Sequence, residues 1–532
     1  MALINNKTKK ALSGSGVLLL AGLASLPLAA QEGHQLLRNN CGVCHAESGS
    51  ADNPVFSRIS EQRKSPEGWL MTINRMVHLR DVEISADDKR NLVRYLADTQ
   101  GLAPDEAAPF RYLLEQDTNL IETGVDAELV ETCARCHSGA RFALQRRTEQ
   151  EWQYLVDFHM GQFPTTELHA LSRDRAWYEI ARNQTASTLA LQYALDTPEW
   201  SQWQSEPKAD VTGRWRVVGF VPGKGEFDAV MLAERADDGR YDLSITGRYA
   251  DGSELSGDGK ATLYTGYEWR ASLTLDGVRM RQVMALDEQG LSGRMFLAAE
   301  REIGGSIQAI QDQGEAAVLA LLPSFVRKGE HAEVEVIGHN LQADSLSLGA
   351  GVVIEQILSQ GPDSIRVRVS ATGDEGIYPV QLGDVAQSAG LAVYEQVARV
   401  DVLPQDAVAR IGGGGMMAKV RTAYRVVGYS AGPDGIPGTE DDLRLGYMPA
   451  SWQILPADEE AEHDQDHIYA GEIDANGIFT PGIDGPNPER RMSANNVGRL
   501  TVVATVTDGE EVVEGSGNLL VSVPDFVRRV LD

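Results

Sequence analysis

The chain has 532 residues, 42% hydrophobic and 23% charged. This is an ordinary globular balance for roughly three to five domains, whose cores need no disulfide support. A formal net charge of −29 opposes nucleic-acid binding, which needs basic side chains against phosphates. An acidic body could steer a basic face of a partner, but charge of this kind equally serves solubility.

At the N-terminus, Lys7, Lys9 and Lys10 precede an apolar run from Val17 to Ala30 that ends in small residues. That is the pattern of a secretory signal, and it is short for a bilayer span. Residues 1–30 are expected to be removed near Ala30–Gln31, with an uncleaved anchor as the alternative. No later stretch is long and apolar enough to span, so a soluble, periplasmic mature chain is expected.

The four cysteines all lie in two copies of one pattern: Cys41-Gly42-Val43-Cys44-His45 and Cys133-Ala134-Arg135-Cys136-His137. C-x-x-C-H is the attachment pattern for c-type haem, with two thiols a helical turn apart forming thioethers and the next His placed under the iron. A thioredoxin-like pair, a four-Cys zinc site or two disulfides would each leave both histidines unexplained. Two covalently bound haems are therefore expected on Cys41, Cys44, Cys133 and Cys136, with His45 and His137 as proximal ligands.

A short internal repeat follows the motifs. Arg63-Lys64-Ser65-Pro66-Glu67-Gly68-Trp69 aligns with Arg146-Arg147-Thr148-Glu149-Gln150-Glu151-Trp152, which sets Met76 opposite His159, each seven residues past its Trp. That spacing is about two helical turns, so Trp and ligand share a face. Ser65-Pro66 and Thr148 read as helix starts. The reading is two tandem cytochrome units, about 31–105 and 106–207, with His45/Met76 and His137/His159 as axial pairs. Met71, His78 and Met160 are the competing ligands. Trp69 and Trp152 read as core packers. A thioether ligand raises the iron potential relative to imidazole, so the first haem is expected to be the more oxidising unless burial or local charge reverses the order.

From about Asp210 the texture becomes β-rich. Runs at 215–221, 229–233, 241–249, 260–264, 268–275, 278–285 and 291–300, with Asp238-Gly239, Asp251-Gly252 and Asp258-Gly259 as turn signals, predict an antiparallel barrel over 208–315. An immunoglobulin-like sandwich is expected over 316–397 and a C-terminal β domain over 398–532, both antiparallel like the barrel, so that the whole reads as a multidomain α+β chain. The acidic stretches Asp434–Asp442 and Asp474–Gly477 resemble calcium loops without completing a twelve-residue pattern, and turn chemistry is the favoured reading. His463 and His467 could form a zinc site only on a continuous helix with a further ligand; a solvated acidic loop is favoured. Gly412–Gly415 lacks the Lys-Ser/Thr of a phosphate loop.

Taken together, these features resemble the alpha subunit of quinohemoprotein amine dehydrogenase. The resemblance rests on the signal, both C-x-x-C-H motifs, Ser65-Pro66-Glu67-Gly68-Trp69 with Arg75-Met76, Tyr95-Leu96-Ala97-Asp98-Thr99-Gln100-Gly101-Leu102, and Gly161-Gln162-Phe163-Pro164-Thr165. It covers nearly the whole chain, with three β domains after an all-α dihaem domain. It implies an αβγ complex in the periplasm, in which a small γ subunit carries cysteine tryptophylquinone and oxidises primary amines to aldehydes and ammonia. The haem subunit would accept the electrons and pass them to a soluble cytochrome c or an azurin-like copper protein. The β domains would then be a docking frame, and this chain would hold no catalytic residue of its own. The acidic stretches 434–442 and 459–466 are not explained by the resemblance. Two other readings compete: a dihaem peroxidase-type enzyme with one open haem site, and a stand-alone dihaem carrier with β docking domains.

Overall fold

A computed structural model describes residues 28–50, 53–168, 173–490 and 494–524. The expected signal lies outside the described residues as far as residue 27. Among the described residues no helix is long and apolar enough to cross a membrane. The molecule is a helical N-terminal region followed by three β domains.

In the first helical unit, Leu28–Cys41 and Pro66–Arg80 both pack on Ala86–Gln100. Gly33 permits the close crossing, since a Cβ there would lie 2.5 Å from the Tyr95 ring. The Pro66–Arg80 helix starts where the sequence says it should: Ser65 caps it by accepting the Gly68 N–H, and proline fills the first turn. Its counterpart Glu149–Gln162 is capped by Thr148, which accepts the Glu151 N–H. Trp69 and Trp152 are fully buried in the cores of their respective units.

The two units meet through a two-stranded ribbon. Gln62–Lys64 pairs antiparallel with Gln145–Arg147, placing Arg63 directly opposite Arg146, the two residues aligned by the repeat. Both guanidinium groups converge on one buried carboxylate. Arg63 makes a bidentate pair with Glu106 at 2.8 and 2.9 Å, and Arg146 Nε donates to it at 2.9 Å. Thr197 Oγ1 donates to the same carboxylate, and Arg63 also donates to the carbonyls of Gly101 and Leu195.

The eight strands from Gly213–Val221 to Gly304–Gln311 run antiparallel in sequence order and close when the last pairs with the first. Trp215, Phe227, Met231, Trp269, Met284 and Met295 fill the interior, as expected of a small barrel with inward-facing alternate residues. One turn expected from sequence is absent. Asp258-Gly259 lies inside the strand Glu254–Tyr264, because Gly259 faces the Ser272 carbonyl, which a Cβ would meet at 2.3 Å. The barrel shares a core with the helices: Leu102, Ala107, Leu114, Ala140 and Leu144 pack with Tyr267, Val283, Ala285 and Phe296. Arg270 Nε donates to Glu67 at 2.6 Å, and Thr265 N–H donates to Asp98 at 2.7 Å.

The third domain has two four-stranded sheets around one core, and the fourth divides among sheets of four, three and three strands. The sequence predicts wholly antiparallel domains here, but each contains one parallel pair. Each opens with a strand in one sheet, crosses at a proline (Pro323, Pro404) and continues in the facing sheet, where Phe325–Arg327 runs parallel to Val385–Tyr394 and Asp406–Arg410 parallel to Glu511–Ser522.

Glu106 tests the ribbon. Burial alone would raise its carboxyl, but the Arg63 hydrogen bonds and the Arg146 charge hold it at about 2, against an ordinary 4.5. A depressed carboxyl stabilises fully above its ordinary value, so this contribution should fade as pH falls from about 4.5 to about 2. Glu106→Gln leaves two buried cations without a counter-charge and should cost about 3–5 kcal/mol. Thermal unfolding at neutral pH measures the loss; an unchanged Tm would refute the role assigned to Glu106.

Candidate functional site

The first motif continues the first helix. The Cys41 carbonyl accepts the N–H of Cys44 at 3.1 Å and of His45 at 2.9 Å, so the chain winds on for one more turn and sets the His beside the two thiols. Cys41 is half-buried against the Trp69–Ile73 core and Cys44 is exposed. In the second motif Cys133 lies in a wide π-helical turn, Val130–Ala134, a distortion often found at functional sites. Cys133 is likewise half-buried and Cys136 exposed. Burial pushes the Cys41 thiol up to about 11, with the Cys44 charge adding to it. Burial pushes the Cys133 thiol up to about 12, helped by Glu128. None of the four is in a disulfide.

The histidines share one arrangement. His45 Nδ1 lies 2.8 Å from the Ser57 carbonyl, His137 Nδ1 2.9 Å from the Ser138 carbonyl and His159 Nδ1 2.7 Å from the Leu155 carbonyl. A carbonyl only accepts, so Nδ1 carries the proton and Nε2 is left with its lone pair for a metal. Burial lowers both His137 and His159, and each His is lowered further by the Arg141 charge; His137 is lowered by His159 as well. The structure therefore brings His159 to the second motif. Its ring is 6.1 Å from that of Trp177, whose Nε1 donates to the Thr132 carbonyl, next to Cys133, at 2.7 Å.

The competing ligands have the following surroundings. Met71 Sδ accepts from Arg75 at 3.0 Å, His78 sits on the exposed last turn of its helix, and Met160 packs with Val156 and Trp177. Met76 is half-buried on the Pro66–Arg80 helix, two turns past Trp69. The donor chemistry fits a thioether-bound haem at each motif: a helical pair of thiols, an imidazole with free Nε2, and a second soft or imidazole donor.

Sequence reasoning missed Glu122. Its carboxylate accepts from the backbone N–H groups of Gly139 (2.7 Å) and Ala140 (2.9 Å), from Tyr112 (2.6 Å) and from the Ser138 hydroxyl. It thus holds the loop that orients His137. Burial would raise this carboxyl, but the Ser138 and Tyr112 hydrogen bonds with the two backbone donors bring it below its ordinary value. Only the distance in sequence concealed it.

Elsewhere the bland readings fit. Asp441, Asp442 and Asp434 accept backbone N–H groups of their own loop, and Asp474 caps a tight turn. The chain between His463 and His467 is not one helix: Glu459–His463 and Asp466–Tyr469 are separated at Gln465, φ 61°. Among the described residues no three His, Cys, Asp or Glu side chains converge on a metal-sized site.

Residues 31–200 match the family model described as quinohemoprotein amine dehydrogenase A, alpha subunit, haem binding. Residues 208–312, 315–395 and 400–531 match the models for alpha-subunit domains II, III and IV. No curated protein matches. Among solved structures, a redesigned β barrel, mFAP1, aligns at TM-score 0.17 and 18% identity over 19% of this chain and 94% of that one. The protocadherin GammaB4 extracellular domain aligns at TM-score 0.17 and 10% identity over 58% and 60%.

Three measurements test this geometry in the haem-loaded protein. Met76→Ala should abolish a sulfur-to-iron charge-transfer band, and Met71→Ala should leave it; the reverse would reassign the ligand. Likewise, His159→Ala should perturb the second haem alone. Glu122→Gln should speed hydrogen exchange at Gly139 and Ala140 without affecting residues 41–45, and in the parent chain the same loop should loosen as pH falls through the carboxylate range. Equal protection in parent and variant would refute the Glu122 role.

Proposed function

The chain belongs to the quinohemoprotein amine dehydrogenase alpha-subunit family, and from that premise we propose that it is the electron-transfer subunit of a periplasmic amine dehydrogenase. It takes electrons from a cysteine tryptophylquinone on a partner γ subunit that converts primary amines to aldehydes and ammonia. It passes them to a soluble cytochrome c or an azurin-like copper protein, within an αβγ assembly. The observation that carries this reading is the pair of C-x-x-C-H turns, each with its His Nδ1 bound to a backbone carbonyl.

In this reading Cys41 and Cys44, and Cys133 and Cys136, hold one haem each. His45 and Met76 face the first iron, and His137 and His159 the second. Iron so held supplies one-electron storage between two oxidation states. The residues of this chain hold and orient: Ser57 and Ser138 carbonyls fix the imidazole tautomers, Glu122 fixes the second loop, and the Glu106 triad keeps the two units in register. The signal at 1–30 supports export. The second domain is a barrel whose interior is packed with apolar side chains, and the third is read as an immunoglobulin-like sandwich. Both suit docking rather than substrate chemistry, and no residue of this chain is assigned a catalytic role.

Anaerobic addition of a primary amine to the native complex should reduce the haems, and two smaller chains, one quinone-positive, should co-purify. A preparation containing this chain alone, with haems that amines never reduce, would overturn the proposal. Turnover driven by peroxide through a high-spin haem would assign the chain to a peroxidase-type function instead.

A further inference from the structure

The seam between the two units has two charged layers, and only in the first does a carboxylate touch every buried cation at hydrogen-bond distance. In the first, Arg63 and Arg146 share Glu106. In the second, the next residues along the ribbon, Lys64 and Arg147, are buried together with the half-buried Arg75 and Arg141. The acid reaching this layer is Glu151, whose oxygens are taken by Arg58 at 2.6 Å, Gln62 at 2.9 Å and, more distantly, Arg147 at 3.5 Å.

Lys64 is 3% exposed, yet among the described residues no carboxylate pairs with its Nζ, which donates to Thr72 Oγ1 at 2.7 Å and lies 4.9 Å from the Trp69 ring. Arg147 repeats the arrangement in the second unit, with Gln145 Oε1 at 2.8 Å and the Trp152 ring at 5.5 Å. Arg75 donates to Met71 Sδ and crosses the seam to lie 4.8 Å from the Phe158 ring, next to His159. Arg141 lies on the Ala140–Ala143 turn, four residues past His137, and its guanidinium makes no hydrogen bond among the described residues. Burying an ammonium or guanidinium without an anion is costly. An unbalanced cluster of this kind, beside both candidate ligand helices, calls for carboxylates from outside the polypeptide.

We propose that Lys64, Arg75, Arg141 and Arg147 form the receptor for the haem propionates, Lys64 serving the haem of the first unit and Arg75, Arg141 and Arg147 that of the second. This rests on the reading of two attached haems. It follows the repeat: Lys64 and Arg147 occupy equivalent positions, each beside the Trp that shares a helix face with Met76 or His159. It adds an asymmetry that the repeat hides, because Arg75 reaches from the first unit into the second. The second site thus collects more positive charge. Cations near a haem disfavour the ferric form, so the cluster raises the potential of the second haem and works against the ligand-based expectation that the first is the more oxidising.

The test uses the intact haem-loaded complex. In Lys64→Met, the propionate bending bands of the resonance Raman spectrum should shift, while spin-state bands stay in place. Arg75→Gln should lower the second-haem midpoint in a spectroelectrochemical titration by about 59 mV, a tenfold change in the ferric-to-ferrous ratio at fixed potential, with Arg75→Lys restoring most of it. If Lys64→Met does not accumulate, the half-buried Arg75 position decides. Unchanged propionate bands and unchanged potentials in chains that still carry two haems by pyridine haemochrome would overturn the receptor and leave the electron-transfer function standing. Chains without two haems would overturn the function itself.

Discussion

A single carboxylate bridges two guanidinium groups at the centre of the helical region, and the geometry of both candidate haem sites depends on that triad. Glu106 lies in the connection between the two units and is bound by Arg63 from one and Arg146 from the other. Each arginine sits two residues before a helix cap, Ser65 or Thr148, and each cap starts the helix that carries a candidate distal ligand. The register of the Gln62–Lys64 and Gln145–Arg147 ribbon therefore sets where Met76 and His159 stand. Buried ion pairs contribute little net stability compared with apolar packing, but losing one partner is expensive. The triad is better understood as a device that specifies one arrangement of two similar units than as a source of bulk stability.

Features encoded locally were legible in the amino-acid sequence. The C-x-x-C-H turns, the Ser65 and Thr148 caps and the buried Trp69 and Trp152 depend on neighbours within a turn or two. Glu106 and Glu122 were not legible, because the carboxylates act on residues 40 and 43 positions away in one case and 16 to 18 in the other. Aligning Arg63 with Arg146 showed that the two positions are equivalent but not that they face each other across a shared acid. Asp258-Gly259 was misread because the same dipeptide serves a tight turn or a strand under close cross-strand approach, and only the neighbouring strand decides between them. The His463/His467 spacing failed as a helical face for a similar reason: the break at Gln465 is a backbone choice that the spacing does not encode.

The division of labour follows from where charge is buried. The helical half hides cations beside its candidate ligand positions. The barrel packs methionine and aromatic side chains in its interior, and the last two domains repeat one device, a first strand that changes sheets at a proline. Their carboxylates are largely spent on their own backbone turns and on ion pairs such as Arg214–Asp363 and Arg248–Glu335 across the barrel boundary. This is the economy of a frame.

The shared core between helices and barrel bears on any attempt to make a minimal cytochrome from this chain. Tyr267, Val283, Ala285 and Phe296 belong to the barrel, yet they complete the packing around Leu102, Ala107 and Leu144. Truncation after the last helix would leave a greasy scar on the helical half and unpair Glu67 and Asp98 at its rim. A stand-alone head would then tend to self-associate through that scar, so the smallest well-behaved fragment is the helical half with its barrel attached.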